Sequence, residues 1–281
     1  MTTIDAHHHF WDTTRYDYPW MTDELTAIKR PFGPDDLLPA LDRTGVVGTV
    51  LVQTRADLDE TREFLAIAAA NAFVRGVVGW VDLTDSGLAD VLADLRSGPG
   101  GQKLVAIRHQ VHDEADAEWL LREPVRRGLR YVADAGLVYD LLVRTREMPA
   151  AITVVRELPE ARFVLDHLAK PPFVSGDLSA WSLALRELAR SENVVAKLSG
   201  LVTEADWHTW TAATLQSAVD VALHAFGSPR LMFGSDWPVC TLTASYEQVL
   251  ETAKTLTAAL SDAERDEVFQ VTATRVYGLG H

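Results

Sequence analysis

Residues 3–12, Thr-Ile-Asp-Ala-His-His-His-Phe-Trp-Asp, set His7, His8 and His9 two positions after an aspartate. Imidazoles this crowded ligate a metal, handle protons, or belong to an affinity tag. A tag is a longer run flanked by glycine and serine, whereas Phe10 and Trp11 follow here at once. In an extended chain successive side chains leave on opposite sides. His7 and His9 therefore share a side as a working pair, and His8 faces away as a bystander. Further chemistry-bearing residues recur along the chain: Arg108-His109, His167, Lys197 with Ser199, and Asp236 in Phe-Gly-Ser-Asp-Trp-Pro-Val. Asp236, ionised near neutral pH, is the natural general base beside several histidines. The Arg108 fork suits a carbonyl or a carboxylate. His109 and Lys197 are candidate substrate contacts. Of the tryptophans, Trp20 and Trp80 are candidates to floor a substrate, and at least two of Trp11, Trp20, Trp80 and Trp237 belong to the core.

Residues so far apart need a frame that gathers them. Short β-branched runs alternate with helical patterns throughout. The expected strands cover residues 3–7, 47–54, 76–83, 103–110, 136–143, 162–170, 193–201 and 230–236. Between them lie patterns of helical period, the first stopping at Gly45, a plausible C-cap. Several strands are nearly continuous apolar runs, as parallel strands buried on both faces should be. Eight strand–helix units in 281 residues favour one closed (β/α)8 barrel domain over residues 1–281. An open doubly wound sheet would carry a glycine-rich phosphate loop after the first strand, and this chain has none there. In a barrel, functional residues lie at the C-terminal strand ends, where His7, His9, Arg108, His109, His167, Lys197, Ser199 and Asp236 all fall.

Composition narrows the partners. At 47% hydrophobic and 23% charged the chain should build a substantial core. A formal net charge of −14 argues against nucleic acid and against an anionic membrane surface. The one cysteine, Cys240, excludes an intrachain disulfide and a multi-cysteine zinc site. With no secretory leader pattern and no apolar run of about 18 residues, the expectation is a cytoplasmic protein acting on a small molecule.

Six motifs in order, "IDAHHHFW", "GVVGWVDL", "IRHQVHDE", "FVLDHLAKPP", "AKLSGLVTEADW" and "RLMFGSDWPVC", resemble the amidohydrolase superfamily. Within it they resemble the branch of sugar-acid lactonases typified by enzymes for L-fucono- and L-rhamnono-lactone. The resemblance spans the first strand to the eighth. It implies a (β/α)8 barrel, hydrolysis of a lactone, and no organic cofactor. The superfamily's His-x-His pair falls on His7 and His9, its later histidine on His167 and its strand-eight aspartate on Asp236. Two-metal members of the superfamily carry a bridging Lys or Glu on strand four and a histidine on strand five. Here those strands offer Arg108-His109 and Asp140, so at most one divalent ion is implied. A single zinc on His7, His9 and Asp236, with His167 as an optional further ligand, is chemically feasible. Related lactonases of the branch work without an obligatory metal.

The expected mechanism has Asp236 take a proton from water attacking the ring carbonyl and return it to the leaving alkoxide. Arg108, His7 and His9, or a metal in their place, stabilise the oxyanion, and His167 orients water or substrate. The nearest rival is a metal-dependent decarboxylase or a dicarboxylate lactonase acting on an aromatic or muconic acid. The latter should show extra cations at the barrel mouth, where only Arg108, Lys170 and Lys197 are clear candidates. A non-catalytic sugar-acid binder is a third reading, disfavoured because binding alone needs no poised base. The sequence does not specify the sugar, ring size or oligomeric state.

Overall fold

A computed structural model describes residues 2–280 of the chain. Eight parallel strands pair in chain order: β1 (Thr3–His8), β2 (Val46–Val52), β3 (Val74–Gly79), β4 (Leu104–His109), β5 (Val138–Leu141), β6 (Arg162–Leu165), β7 (Val194–Leu198) and β8 (Leu231–Phe233). The expected (β/α)8 architecture is therefore present, with β1 one residue longer than expected, β2 and β3 starting one and two residues earlier, and every strand after β1 ending sooner. Around them run α1 (Pro34–Thr44), α2 (Leu58–Ala70), α3 (Leu88–Ser97), α4 (Glu123–Asp134), α5 (Met148–Glu157), α6 (Ser179–Leu188), the short α7 (Leu201–Glu204), α8 (Ala212–Phe226) and α9 (Tyr246–Leu256). The chain closes with α10 (Asp262–Asp266), a π-helical turn, and α11 (Thr272–Tyr277). The first helix begins with Pro34 in its opening turn and stops, as the sequence suggested, at Gly45, which is in the left-handed conformation.

Two apolar layers result from strand alternation. Outward side chains such as Leu51, Ile107 and Phe163 pack under the helices. Inward ones, including Ile4, Val50, Val78, Ala106, Val164 and Met232, fill the lower barrel. Val276, Tyr277 and Leu279 from the last helix and the residues after it join that inner cluster, so side chains fill the lower end of the barrel.

The seam between β1 and β8 decides the site. The two strands meet through an isolated bridge, His8 to Trp237. It is held by Asp236 N–H donating to His7 O at 2.8 Å and His9 N–H donating to Trp237 O at 2.7 Å. Below it the buried Asp5 carboxylate accepts from Ser235 N–H (2.8 Å), Ser235 O–H (2.6 Å) and Tyr246 O–H (3.1 Å). Burial pushes Asp5 up to about 6, against the pull of these donors. The backbone closure itself thus sets Asp236 beside the histidine pair.

Candidate active site

Alternation alone would misplace the histidines. Ile4 and Ala6 point into the barrel, so a regular strand would send His8 inward next. The pairing with β2 runs Asp5 to Thr49 and then His8 to Leu51, three steps on β1 against two on its partner. This bulge inserts one residue and re-aims the side chains beyond it. His7 and His9 now both face the barrel top, their Nε2 atoms 3.1 Å apart. His8 faces outward, fully buried, with Nε2 2.9 Å from Thr49 Oγ1, and burial lowers it to about 3.

Two strands that the sequence ran too long end early at the site. The reading of 162–170 as strand fails after Leu165, because His167, Leu168, Ala169 and Lys170 all take positive φ. The eighth strand stops at Phe233, and Asp236 sits at φ 58. Left-handed backbone costs roughly 1–2 kcal/mol per non-glycine residue. The strain falls at the residues that turn His167 and Asp236 over the barrel mouth, as strain at functional sites commonly does. Two glycines make room: a Cβ on Gly200 would meet His167 Nδ1 at 2.6 Å, and one on Gly234 would meet His7 Cβ at 2.7 Å.

The result is a convergent floor. Asp236 Oδ1 lies 3.4 Å from His9 Nε2, 3.7 Å from His7 Nε2 and 3.9 Å from His167 Nε2. Each imidazole is anchored through its other nitrogen. His9 Nδ1 contacts Val52 O at 2.7 Å, His167 Nδ1 contacts Ser199 Oγ at 2.8 Å, and His7 Nδ1 faces Lys197 Nζ at 3.2 Å and Asp166 Oδ1 at 3.4 Å. Burial works against ionising Asp236, but the surrounding His167, His9 and His7 outweigh it and hold the carboxyl below the usual carboxylate range. Burial keeps His7 neutral well below the ordinary imidazole value and brings His167 down to about 4.

Above this floor opens a cleft of about 630 Å³, within the range of small-molecule sites. Its walls include Trp20, Gln110, His112, Arg144, Lys170, Glu204 and Trp207, with Leu25, Leu142, Val239 and Leu242 as the apolar share. His9, Arg108, His167 and Asp236 reach its surface.

Other expected contacts fall elsewhere. His109 follows the inward Arg108 on β4 and so points out of the barrel. There it stacks on Trp119 with ring centroids 4.3 Å apart and accepts at Nδ1 from Trp80 Nε1–H at 2.9 Å. Neither His109 nor Trp80 lines the cleft, whereas Trp20 does. Trp11 and Trp237 are core residues. Lys197 points inward but one layer below Ser199. It is fully buried, its Nζ 2.6 Å from Asp140 Oδ2 and 2.9 Å from Asp166 Oδ1. It supports the floor rather than meeting a substrate.

Asp166 and Gln53 escaped the sequence reading. Arg108 Nη1 donates to Asp166 Oδ2 at 2.9 Å, and Nη2 donates to Gln53 Oε1 at 3.0 Å. Burial raises Asp166, but Lys197, His7 and Arg108 outweigh it and hold the carboxyl low. Asp166 sits directly before His167 at a strand end, and a buried carboxylate demanding a cation was the signal available. Gln53 offered none beyond its position after β2.

The donor set suits one divalent ion. Zinc bonds of about 2.0–2.1 Å in a tetrahedron put ligand atoms about 3.3 Å apart. The spacings among His7 Nε2, His9 Nε2 and Asp236 Oδ1 are 3.1, 3.4 and 3.7 Å.

This barrel, with a His-x-His pair on β1 and an aspartate after β8, defines an amidohydrolase. The chain belongs to that family, whose profile matches residues 4–279. It is 40% identical to an L-fucono-1,5-lactonase of Burkholderia multivorans, covering 98% of this chain and 96% of that one. A second L-fucono-1,5-lactonase, from Burkholderia ambifaria, is 41% identical over 86% of this chain and 82% of its own. Among solved structures, an amidohydrolase from Burkholderia multivorans with bound zinc superposes with a TM-score of 0.94 at 40% identity over the full length of both chains.

Proposed function

We propose that this protein is a hydrolase that opens a sugar-acid lactone of the L-fucono-1,5-lactone type, with Asp236 as general base. The observation that carries the reading is the convergence of His7, His9 and His167 Nε2 atoms on Asp236 Oδ1 at the floor of the cleft. The near-full-length likeness to two lactonases supports the substrate class.

In this mechanism the lactone lies in the cleft with its carbonyl toward the imidazole floor. Asp236 takes a proton from a water as the water oxygen bonds to the carbonyl carbon. The negative charge gathering on the carbonyl oxygen is met by the imidazoles and by the Arg108 edge of the floor. The tetrahedral centre collapses, the ring carbon–oxygen bond breaks, and Asp236 returns the proton to the leaving alkoxide. The product is the open hydroxy acid. A lactone needs little leaving-group help, so one carboxylate serves both directions. His7, His9 and Asp236, with His167 beside them, would hold a divalent ion. Bound there, it would supply Lewis acidity to the carbonyl and lower the pKa of water.

Asp236→Asn removes the base at nearly constant shape, and turnover of aldonolactones should fall about 10²–10⁴-fold in an indicator assay of acid release. Near-normal turnover in that variant would refute the assignment. Chelated enzyme of measured zinc content should keep its turnover, and activity that disappears in proportion to the metal would overturn the metal-independent form of the mechanism. A dicarboxylate substrate is less well served. Lys170 is paired with Glu204, and Asp113 stands beside His112, so the mouth carries mixed charge rather than a cationic ring.

A further inference from the structure

His109 and Lys197, the substrate contacts that the sequence suggested, do not reach the cleft, so recognition of a hydroxylated lactone falls to other groups. We propose that Lys170 and Glu204 form one hydroxyl-binding element that selects lactones carrying neighbouring ring hydroxyls over unsubstituted ones. The proposal rests on the lactonase reading and names the residues that give it a sugar preference.

Both residues line the cleft. Lys170 Nζ donates to Glu204 Oε1, and the two side chains are 18% and 24% exposed. The pair is thus neither an open surface contact nor a sealed one like Lys197 with Asp140. Among the described residues neither head group has a second hydrogen-bond partner. An ammonium carries three hydrogens and a carboxylate two accepting oxygens, so two donors and one carboxylate oxygen stay unspent. A vicinal diol matches that set: one hydroxyl donates to the carboxylate while its neighbour accepts from the ammonium. Because the two charges cancel, the pair suits a neutral polyol better than an anion. That fits a lactone before opening and gives little hold on the carboxylate formed afterwards.

The backbone ties the pair to the floor. Lys170 closes the left-handed run that begins at His167, and its N–H donates to His167 O at 2.8 Å. Glu204 ends α7, which starts directly after Gly200. Gly200 lies against His167, and Ser199 Oγ is 2.8 Å from His167 Nδ1. The two segments that hold His167 therefore also carry the pair, which sets the hydroxyl contact at a fixed offset from the reacting carbonyl. The tryptophans of the wall cannot substitute. Trp20 Nε1–H donates to Thr54 O at 3.1 Å and Trp207 Nε1–H to Thr203 O at 2.9 Å, so both offer ring faces only.

The test compares L-fucono-1,5-lactone with δ-valerolactone, the same ring without hydroxyls, on the full-length enzyme. The readout is the ratio of the two kcat/KM values. In Glu204→Gln and in Lys170→Met that ratio should fall about 10–10²-fold, the usual cost of losing a hydrogen bond to a charged group. The double variant Lys170→Met with Glu204→Leu removes the pair without stranding either charge, and its ratio should fall at least as far. An unchanged ratio in variants that melt as wild type does overturns the proposal, as does a loss shared equally by both lactones. Wild-type enzyme that hydrolyses neither lactone refutes the lactonase reading instead. Calorimetric titration with L-fuconate, the open hydroxy acid, then decides the role of the pair. Its Kd should rise about tenfold in the double variant, and an unchanged Kd, or no binding to wild type, overturns the proposal.

Discussion

Two layers of ionisable side chains sit a few ångströms apart on the barrel axis and do different work. The upper layer, His9, His167 and Asp236 with the edge of Arg108, opens on the cleft. The lower one, Lys197, Asp140 and Asp166, is sealed, each member fully buried. Both are rich in charge, and both come from strand ends or their neighbours. The upper groups leave lone pairs and protons facing a cavity. The lower groups spend theirs on one another, and Asp166 and Lys197 reach the site only through Arg108 and His7. Convergent polarity therefore marks a site, but access to solvent separates its reagents from its supports.

That division can be broken by experiment. Asp236→Asn, in the upper layer, should cost about 10²–10⁴ in kcat while moving the melting temperature little, since asparagine tolerates the left-handed backbone found there. Lys197→Met, in the lower layer, should do the reverse first. It strands two buried carboxylates and should cost about 3–5 kcal/mol in denaturant unfolding. A variant as stable as the parent would mean the lower layer is not the ion network described. Gly200→Ala lies between the layers. Its Cβ would press on His167, and its φ of 65° disfavours a side chain. It should lose about 1–3 kcal/mol and much of its turnover together.

Smaller effects sharpen the same contrast. His8→Phe removes the hydrogen bond to Thr49 outside the barrel and should cost about 0.5–1.5 kcal/mol with kcat unchanged. A large loss of turnover would return His8 to the site. The pH profile should be the least eventful. Asp236 is held below the usual carboxylate range and His167 near 4. Lowered values keep the carboxylate ionised and the imidazole neutral as pH falls. The profile of kcat/KM should stay flat from about pH 7 to about pH 5 and fall only below that. An acid limb centred near the ordinary imidazole value would show that burial does not hold His167 down.

The sequence by itself determined a good deal. Apolar strands alternating with helical patterns specified a parallel barrel, because only strands buried on both faces read as continuous apolar runs. Chemistry-bearing residues at the ends of those runs then pointed to one mouth, and the pairing of His7 with His9 came from a period of two. That period gives a side and not a depth. It could not tell Lys197 from Ser199, which lie on the same face of β7 at different heights. For Arg108 and His109 it offered opposite faces without saying which was inward. Nor could it see the bulge between Asp5 and His8, without which the inward sequence Ile4, Ala6 would continue to the wrong histidine. The left-handed turns at His167 and Asp236 were equally hidden, since local propensity opposes them. The tertiary structure decided these points because the β1–β8 seam and the buried ion network stabilise backbone states that the local sequence disfavours. The opening histidine triplet is the clearest case: its neighbours in the chain supply three imidazoles, and the barrel turns two of them onto the floor of its mouth and one outward against Thr49 as a strut.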